Sequence, residues 1–196
     1  MAATEAVCYR LADAGDAPAI AALHADSWRR HYRGAYADSY LDGDVVADRL
    51  EVWSERLSEA DDRTFIWVAE GTGRLVGFIH TVLDAEARWG ALLDNLHVTT
   101  ERKGEGIGTR LLGAAAEALL ERRPSSGLFL WVLEQNRAAQ AFYRARHGGC
   151  VERAPVQAPG EDATRLHGAP TKLRYVWSDP SVLLRPDDRE RWSSSE

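Results

Sequence analysis

The chain has 196 residues, 45% of them hydrophobic and 28% charged, with a formal net charge of −6. That length supports one domain with its own core and leaves little for a second, and the composition excludes a disordered or fibrous chain. The acidic balance excludes a protein whose whole surface grips nucleic acid and is compatible with a cationic substrate such as an amine.

No apolar run approaches the roughly 20 residues that span a bilayer. The opening MAATEAVCYR lacks a basic segment followed by an apolar one, so a cytoplasmic protein with no membrane partner is expected. Two cysteines, Cys8 and Cys150, are expected to be reduced and buried.

In chain order, Val7 to Leu11 reads as a strand. Asp16 and Pro18 then open a helix on which Ile20, Leu23, Ser27 and His31 share a face, with Trp28 and Tyr32 beside it. Gly34 breaks that pattern. A second helix is expected from about Asp44 to Ala60, with Val45, Leu50, Trp53 and Leu57 as its apolar points. Thr64 to Glu70 and Arg74 to Leu83 read as strands joined by Gly71-Thr72-Gly73, a hairpin signal.

Ala91 to Val98 is a third strand of this antiparallel meander. The helix after it carries Ile107, Leu111, Ala115 and Leu119 in register, and Pro124 and Gly127 stop it. The continuous apolar run Leu128 to Leu133 suits a strand buried on both faces. Asn136 to Arg146 reads as a helix closed by Gly148-Gly149, and a last strand covers Lys172 to Trp177. The order predicts one α/β domain over residues 1–178, in which a strand–helix–strand crossover follows the meander in a mixed central sheet with helices on both faces. A polar tail, 179–196, is expected to be mobile or laid against a partner. The late strands and tail are also compatible with a homodimer.

The stretch ERKGEGIGTRLL, Glu101 to Leu112, sits where the third strand meets its helix. Gly104, Gly106 and Gly108 suit a backbone with positive φ or one that a ligand approaches closely. The first amides of the helix have no partner within it, and the helix dipole places positive charge there. Such a turn seats an anion, and Arg102, Lys103 and Arg110 add charge of the right sign. A dinucleotide fingerprint would need a glycine where Thr109 stands, and a triphosphate loop would need Lys-Ser/Thr after Gly108, where Thr109-Arg110 stands. Both spacings fail.

LHVTTERKGEGIGTRLL is similar to the central motif of the GNAT superfamily of N-acetyltransferases, with Lys103 where glutamine or arginine is usual. NRAAQAFYRARHGG, through Asn136, Ala139, Phe142 and Tyr143, resembles the family's next motif, with about one residue more than usual between Tyr143 and Gly148. SWRRHYRGAYADSYLDG resembles the first two helices of a large bacterial branch. The likeness runs from about Val7 to Trp177.

The resemblance implies transfer of an acetyl group from acetyl-coenzyme A to a primary amine by direct attack. The acceptor would be a small-molecule amine or a peptide amine. The diphosphate would lie on the loop amides of Lys103, Gly104, Gly106, Ile107, Gly108 and Thr109. The backbone of Leu96, His97 and Val98 would meet the thioester and pantetheine arm, together with Asn136, Phe142 and Tyr143. Asn136 also suits the N-cap of its own helix.

Tyr143 is the implied general acid, since a phenol suits a thiolate leaving group. For the base, the candidates are Asp94 and His97, which strict strand alternation sends to opposite faces, then Glu134 on the neighbouring strand, or water. Trp28, Tyr32 and Tyr36, near His31, are expected to close over an ammonium-bearing acceptor. A non-catalytic acyl-coenzyme A sensor on the same scaffold is the alternative. No metal site is expected: the six histidines form no His-x-x-x-His pair.

Overall fold

The computed structural model describes residues 6–59, 61–123 and 126–184. In chain order the elements are β1 (Cys8–Leu11), α1 (Ala17–His31), α2 (Asp38–Leu41), α3 (Val45–Ser58), β2 (Thr64–Gly71), β3 (Arg74–Glu86), β4 (Gly90–Val98), α4 (Ile107–Arg122), β5 (Leu128–Leu133), α5 (Arg137–Arg144), β6 (Gly149–Pro155) and β7 (Thr171–Trp177). The strands follow the order β1-β2-β3-β4-β5-β7-β6 in one mixed sheet. The chain divides into two compact units, and β5 passes from one into the other after Phe129.

The first unit holds β1 to β4, α4, the start of β5 and the segment from residue 177. β1 to β4 pair as an antiparallel meander. The β2–β3 turn has positive φ at both Thr72 (51°) and Gly73 (69°), the twist that a two-residue hairpin requires. β4 pairs in parallel with β5 at Ala91↔Leu128 and Leu92↔Phe129, so β4–α4–β5 is the expected crossover. α4 packs on β2, β3 and β4 through Ile107, Leu111, Ala115 and Leu119, all buried. Gly77 on β3 lets it approach: a Cβ there would lie 3.1 Å from Leu111 Cδ1 and 3.3 Å from Ile107 Cγ2.

Two expectations change in this unit. Packing continues past residue 178: Asp179 caps a 3-10 turn, Pro180–Leu183, by accepting from the Ser181 amide at 2.9 Å. Pro180, Leu183 and Leu184 are buried, with the turn against α4. Cys8 is exposed rather than buried, because β1 is the last strand at its edge of the sheet. The predicted helix stop at Pro124 and the end of the tail lie outside the described residues.

The second unit holds α1 to α3, the rest of β5, α5, β6 and β7 up to Val176. α1 and α3 pack together, and the indole of the fully buried Trp53 donates to His24 Nδ1 at 2.9 Å. On α3 the inward face is Val45, Arg49 and Trp53, at i, i+4 and i+8. Leu50 is 37% exposed, which corrects its predicted place in the core. Arg49 buries its stem instead, with its guanidinium 4.4 Å from the Trp28 ring centre and 2.6 Å from Asp48.

Two elements were not anticipated. α2 is a single turn. β6 is an edge strand with little buried surface, so its sequence carries no alternation; pairing with β7 is what defines it. Cys150 lies on this strand and is exposed, again contrary to the expected burial.

α5 closes differently from the predicted Gly148-Gly149 turn. The left-handed residue is His147, with φ 65°. The His147 amide donates to Arg144 O and the Gly148 amide to Tyr143 O, both at 3.0 Å. This pair of bonds is a Schellman cap with histidine in the position that glycine usually takes.

Candidate active site

In the first unit, the turn between β4 and α4 is open. Gly104 and Gly106 have φ of 89° and 80°, and a Cβ on either would meet nothing within 4 Å. Gly106 is the N-cap of α4 and supplies no side chain to cap it. The Lys103 amide donates to Thr100 O at 3.3 Å and the Arg110 amide to Gly106 O at 3.0 Å. Among the described residues, the amides of Gly104 to Gly108 donate to no loop or cap carbonyl. Gly108 lies within the first turn of α4, so its conformation is helical and only two of the three glycines are demanded by φ.

The charges around this turn are partly committed. Arg102 Nε bonds Glu105 Oε2 at 2.6 Å, and the Arg110 guanidinium lies 4.8 Å from the centre of the Tyr9 ring. Lys103 and Thr109 are exposed on the turn.

β4 leads into this turn through a bulge. His80 pairs with Asn95 and Thr81 with Leu93, which leaves Asp94 as an extra residue. Asp94 Oδ2 lies 3.2 Å from His80 Nδ1 and 2.7 Å from Asn95 Nδ2. His80 and Phe78 share a face of β3, and the Phe78 ring packs 5.2 Å from that of His97. The bulge therefore brings Asp94 onto the face that carries His97, correcting the expectation that alternation would separate them. His80, 5% exposed in its side chain, was missed because nothing in its apolar strand marks it as the partner of a carboxylate.

Further along β4, the Thr99 amide donates to Val76 O at 2.9 Å. Successive amides in a strand point to opposite edges, so the His97 amide points toward β3 and those of Leu96 and Val98 away from it. Of the three residues proposed for backbone contacts, Leu96 and Val98 alone keep amides on the far edge.

In the second unit, α5 carries the later motif. Asn136 caps it by accepting from the Ala139 amide at 3.1 Å. Tyr143 is buried, and that burial pushes its phenol well above the usual range. Its ring meets Phe142 edge-on at 5.3 Å and Tyr175 at 6.1 Å; Phe142 is partly buried, with the Arg146 guanidinium 3.7 Å above it. Gln140, fully buried, ties this helix to the end of β5 by donating to Glu134 O at 2.7 Å and Leu133 O at 3.3 Å.

Trp28, Tyr32 and Tyr36 stand together, with ring centres 5.0 to 5.4 Å apart. Trp28 and Tyr36 are buried in a cluster with Ala25, Ala35, Leu41, Val45 and Leu133. The two are core residues rather than walls open to a ligand, and a face of Trp28 is covered by Arg49. Tyr32 and Tyr40 are partly buried against the same cluster. Burial, then the hydrogen bond to Asp48, pushes the Tyr40 phenol up to about 12.

The same unit contains an open cavity of about 390 Å³, bounded by Gly34, by Glu134, Gln135 and Arg137 after β5, and by His167 and Ala169 to Thr171 before β7. Glu134 Oε2 accepts from Arg153 at 2.7 and 2.9 Å and from the Thr171 hydroxyl. These partners, the Arg153 guanidinium first, hold the Glu134 carboxyl below the usual range. Arg137 and His167 on this rim were missed, since the loop before β7 offers only a polar, glycine-rich composition to sequence reading.

Among the described residues no group of three or more metal-ligating side chains occurs, and no helix is long and apolar enough to cross a membrane.

A sequence profile of the acetyltransferase (GNAT) family matches residues 21–149. The chain is 31% identical over 133 residues to the probable N-acetyltransferase Rv2775 of Mycobacterium tuberculosis, covering 67% of this chain and 73% of that one. It is 30% identical over 142 residues to the uncharacterized N-acetyltransferase YuaI of Bacillus subtilis, covering 71% and 78%. In fold it is similar to the PaiA N-acetyltransferase of Thermoplasma acidophilum, crystallised with coenzyme A, at a TM-score of 0.61 and 19% identity, over 88% of this chain and 99% of that one. With its glycine turn at the head of α4 and its family profile spanning most of the chain, this protein belongs to the GNAT family of acetyltransferases.

Proposed function

We propose that the protein transfers the acetyl group of acetyl-coenzyme A to a primary amine by direct attack. The observation that carries this reading is the open turn at Gly104 and Gly106. Its left-handed glycines leave clear space above amides that no loop carbonyl occupies, and it opens a helix of 16 residues. A diphosphate fits such a turn. A relative in fold is crystallised with coenzyme A, which supports the same ligand here.

The co-substrate supplies a thioester carbonyl and a thiolate leaving group. The amides of Gly104 to Gly108 would hold its diphosphate, and those of Leu96 and Val98 would meet its pantetheine and thioester. Tyr143, as a phenol, is protonated at neutral pH, as a proton donor must be, and burial opposes its ionisation further.

In balance, the amine nitrogen forms a C–N bond to the acetyl carbon as the C–S bond breaks. An ammonium substrate loses two protons overall, one to the departing sulfur and one to solvent. Asp94 is the favoured base on β4, with His80 and His97 on the same face; His97, packed on Phe78, is the weaker candidate.

Calorimetric titration of the protein with coenzyme A, ATP and NAD tests the binding half. Binding of coenzyme A alone is expected, and no binding of it would overturn the reading. Thiol release from acetyl-coenzyme A in the presence of amines tests the chemistry.

A further inference from the structure

We infer that Arg102 is a positioning residue for coenzyme binding: it draws the Glu105 carboxylate aside and keeps the amides at the head of α4 open to a diphosphate. This deepens the coenzyme A reading of the turn and rests on it. Every residue concerned lies in the first unit.

The turn carries an internal conflict. Glu105 stands between Gly104 and Gly106, whose left-handed backbones leave open space around it. An acid beside the N-cap of a helix is itself drawn to the unpaired amides and to the positive end of the dipole. Because it is tethered to them, its effective concentration exceeds that of a free anion. An unrestrained Glu105 would fill the seat or repel the anion that comes to it.

Arg102 resolves the conflict. Its Nε donates to Glu105 Oε2 at 2.6 Å, and among the described residues the Glu105 side chain caps no amide at the head of α4.

The arginine is itself held in place. The Arg102 amide donates to Thr99 O at 3.2 Å, within the 3-10 turn Thr100–Arg102, and its side chain is 17% exposed. The guanidinium lies over Gly71, the last residue of β2, where a Cβ would stand 2.9 Å from Nη1. The end of that strand is thus a floor that fixes the direction in which Glu105 is pulled. Burial raises the Tyr9 phenol, and Arg110, Arg102 and Glu105 then act on it, which gathers these charges beside β1.

Direct contact between Arg102 and a phosphate is the competing role, and the two roles differ in their coupling to Glu105. An arginine that grips the phosphate is missed whatever stands at position 105. One that restrains Glu105 is missed only while position 105 is an acid.

The test is calorimetric titration with coenzyme A of the wild-type protein, Arg102→Ala, Glu105→Gln and the double variant. Arg102→Ala should weaken binding about tenfold, as a released charge near the diphosphate would. Glu105→Gln should tighten it by about two- to fivefold, since the turn is exposed and salt screens part of the charge removed. The double variant should bind within about threefold of Glu105→Gln. Where Arg102→Ala does not fold, Gly71→Ala takes its place: its Cβ displaces the guanidinium with every charge retained. Binding should then weaken by about threefold or more, and Glu105→Gln should reverse the loss.

Unchanged affinity in Arg102→Ala, or in Gly71→Ala where that replaces it, would overturn the inference. So would a loss that persists in full once Glu105 is glutamine. Failure of the wild-type protein to bind coenzyme A would instead remove the underlying reading, and this inference with it.

Discussion

Asp94 joins β4 to β3 outside the ladder: its Oδ2 lies 3.2 Å from His80 Nδ1 and 2.7 Å from the amide nitrogen of Asn95. The bulge that frees Asp94 from pairing is also what aims it at His80. Asp94→Ala should cost about 1–3 kcal/mol, because it strips an acceptor from two largely buried donors. Asp94→Asn keeps the shape and one acceptor, so it should recover part of that loss. Urea unfolding of both variants measures the effect; an unshifted midpoint for Asp94→Ala would show that the carboxylate is dispensable to the bulge.

Alkaline pH should unfold the protein through its buried phenols. Burial raises Tyr143 above the usual tyrosine range, and Tyr40 stands at about 12. In the unfolded chain both titrate near pH 10. Their contribution is fully present below that value and is lost as pH rises from about 10, since the unfolded state then releases protons that the native state keeps. Thermal melts from pH 8 to 11 should show the decline, and Tyr143→Phe should flatten it.

The same Tyr143→Phe variant separates binding from chemistry. Coenzyme A affinity should stay within about twofold while turnover falls tenfold or more, as expected when a general acid is lost. Unchanged turnover would remove that role from Tyr143.

Gly106→Ala should be costly for two reasons. At φ 80° an alanine loses about 1–2 kcal/mol. Its Cβ would also project into the open space that a diphosphate is expected to fill, so coenzyme A affinity should fall by about tenfold or more. Calorimetry on the folded variant reads the second effect apart from the first, and unaltered affinity would place the ligand elsewhere.

His147→Gly should stabilise the protein. The Schellman cap of α5 holds a histidine at φ 65°, and glycine adopts that conformation without strain. A gain of about 0.5–1 kcal/mol is expected, after the extra entropy of glycine in the unfolded chain. A loss would mean that the imidazole makes a compensating contact.

Much of the fold was legible because its elements speak locally. The Thr72–Gly73 turn, the register of Ile107, Leu111, Ala115 and Leu119, and the apolar run of β5 each report their own surroundings. β6 was not legible, since a polar edge strand is defined by its partner rather than by its own pattern. Arg49 and Leu50 exchanged places for a similar reason: periodicity cannot foresee that Asp48 and the Trp28 ring will pay for burying a guanidinium.

For the site, the sequence alone determined the open glycine turn, because alternating glycines at a strand–helix junction dictate backbone geometry within a few residues, whatever lies around them. It also fixed the two motifs that place this chain in its family. Only the tertiary structure decided which residues meet: the bulge that sets Asp94 on His80, the packing that takes Trp28 and Tyr36 into the core, and the opposed charges of Glu134 and Arg137 on one cavity. Those pairings depend on register and on contacts between segments far apart in the chain, where a one-residue shift reverses a strand's faces.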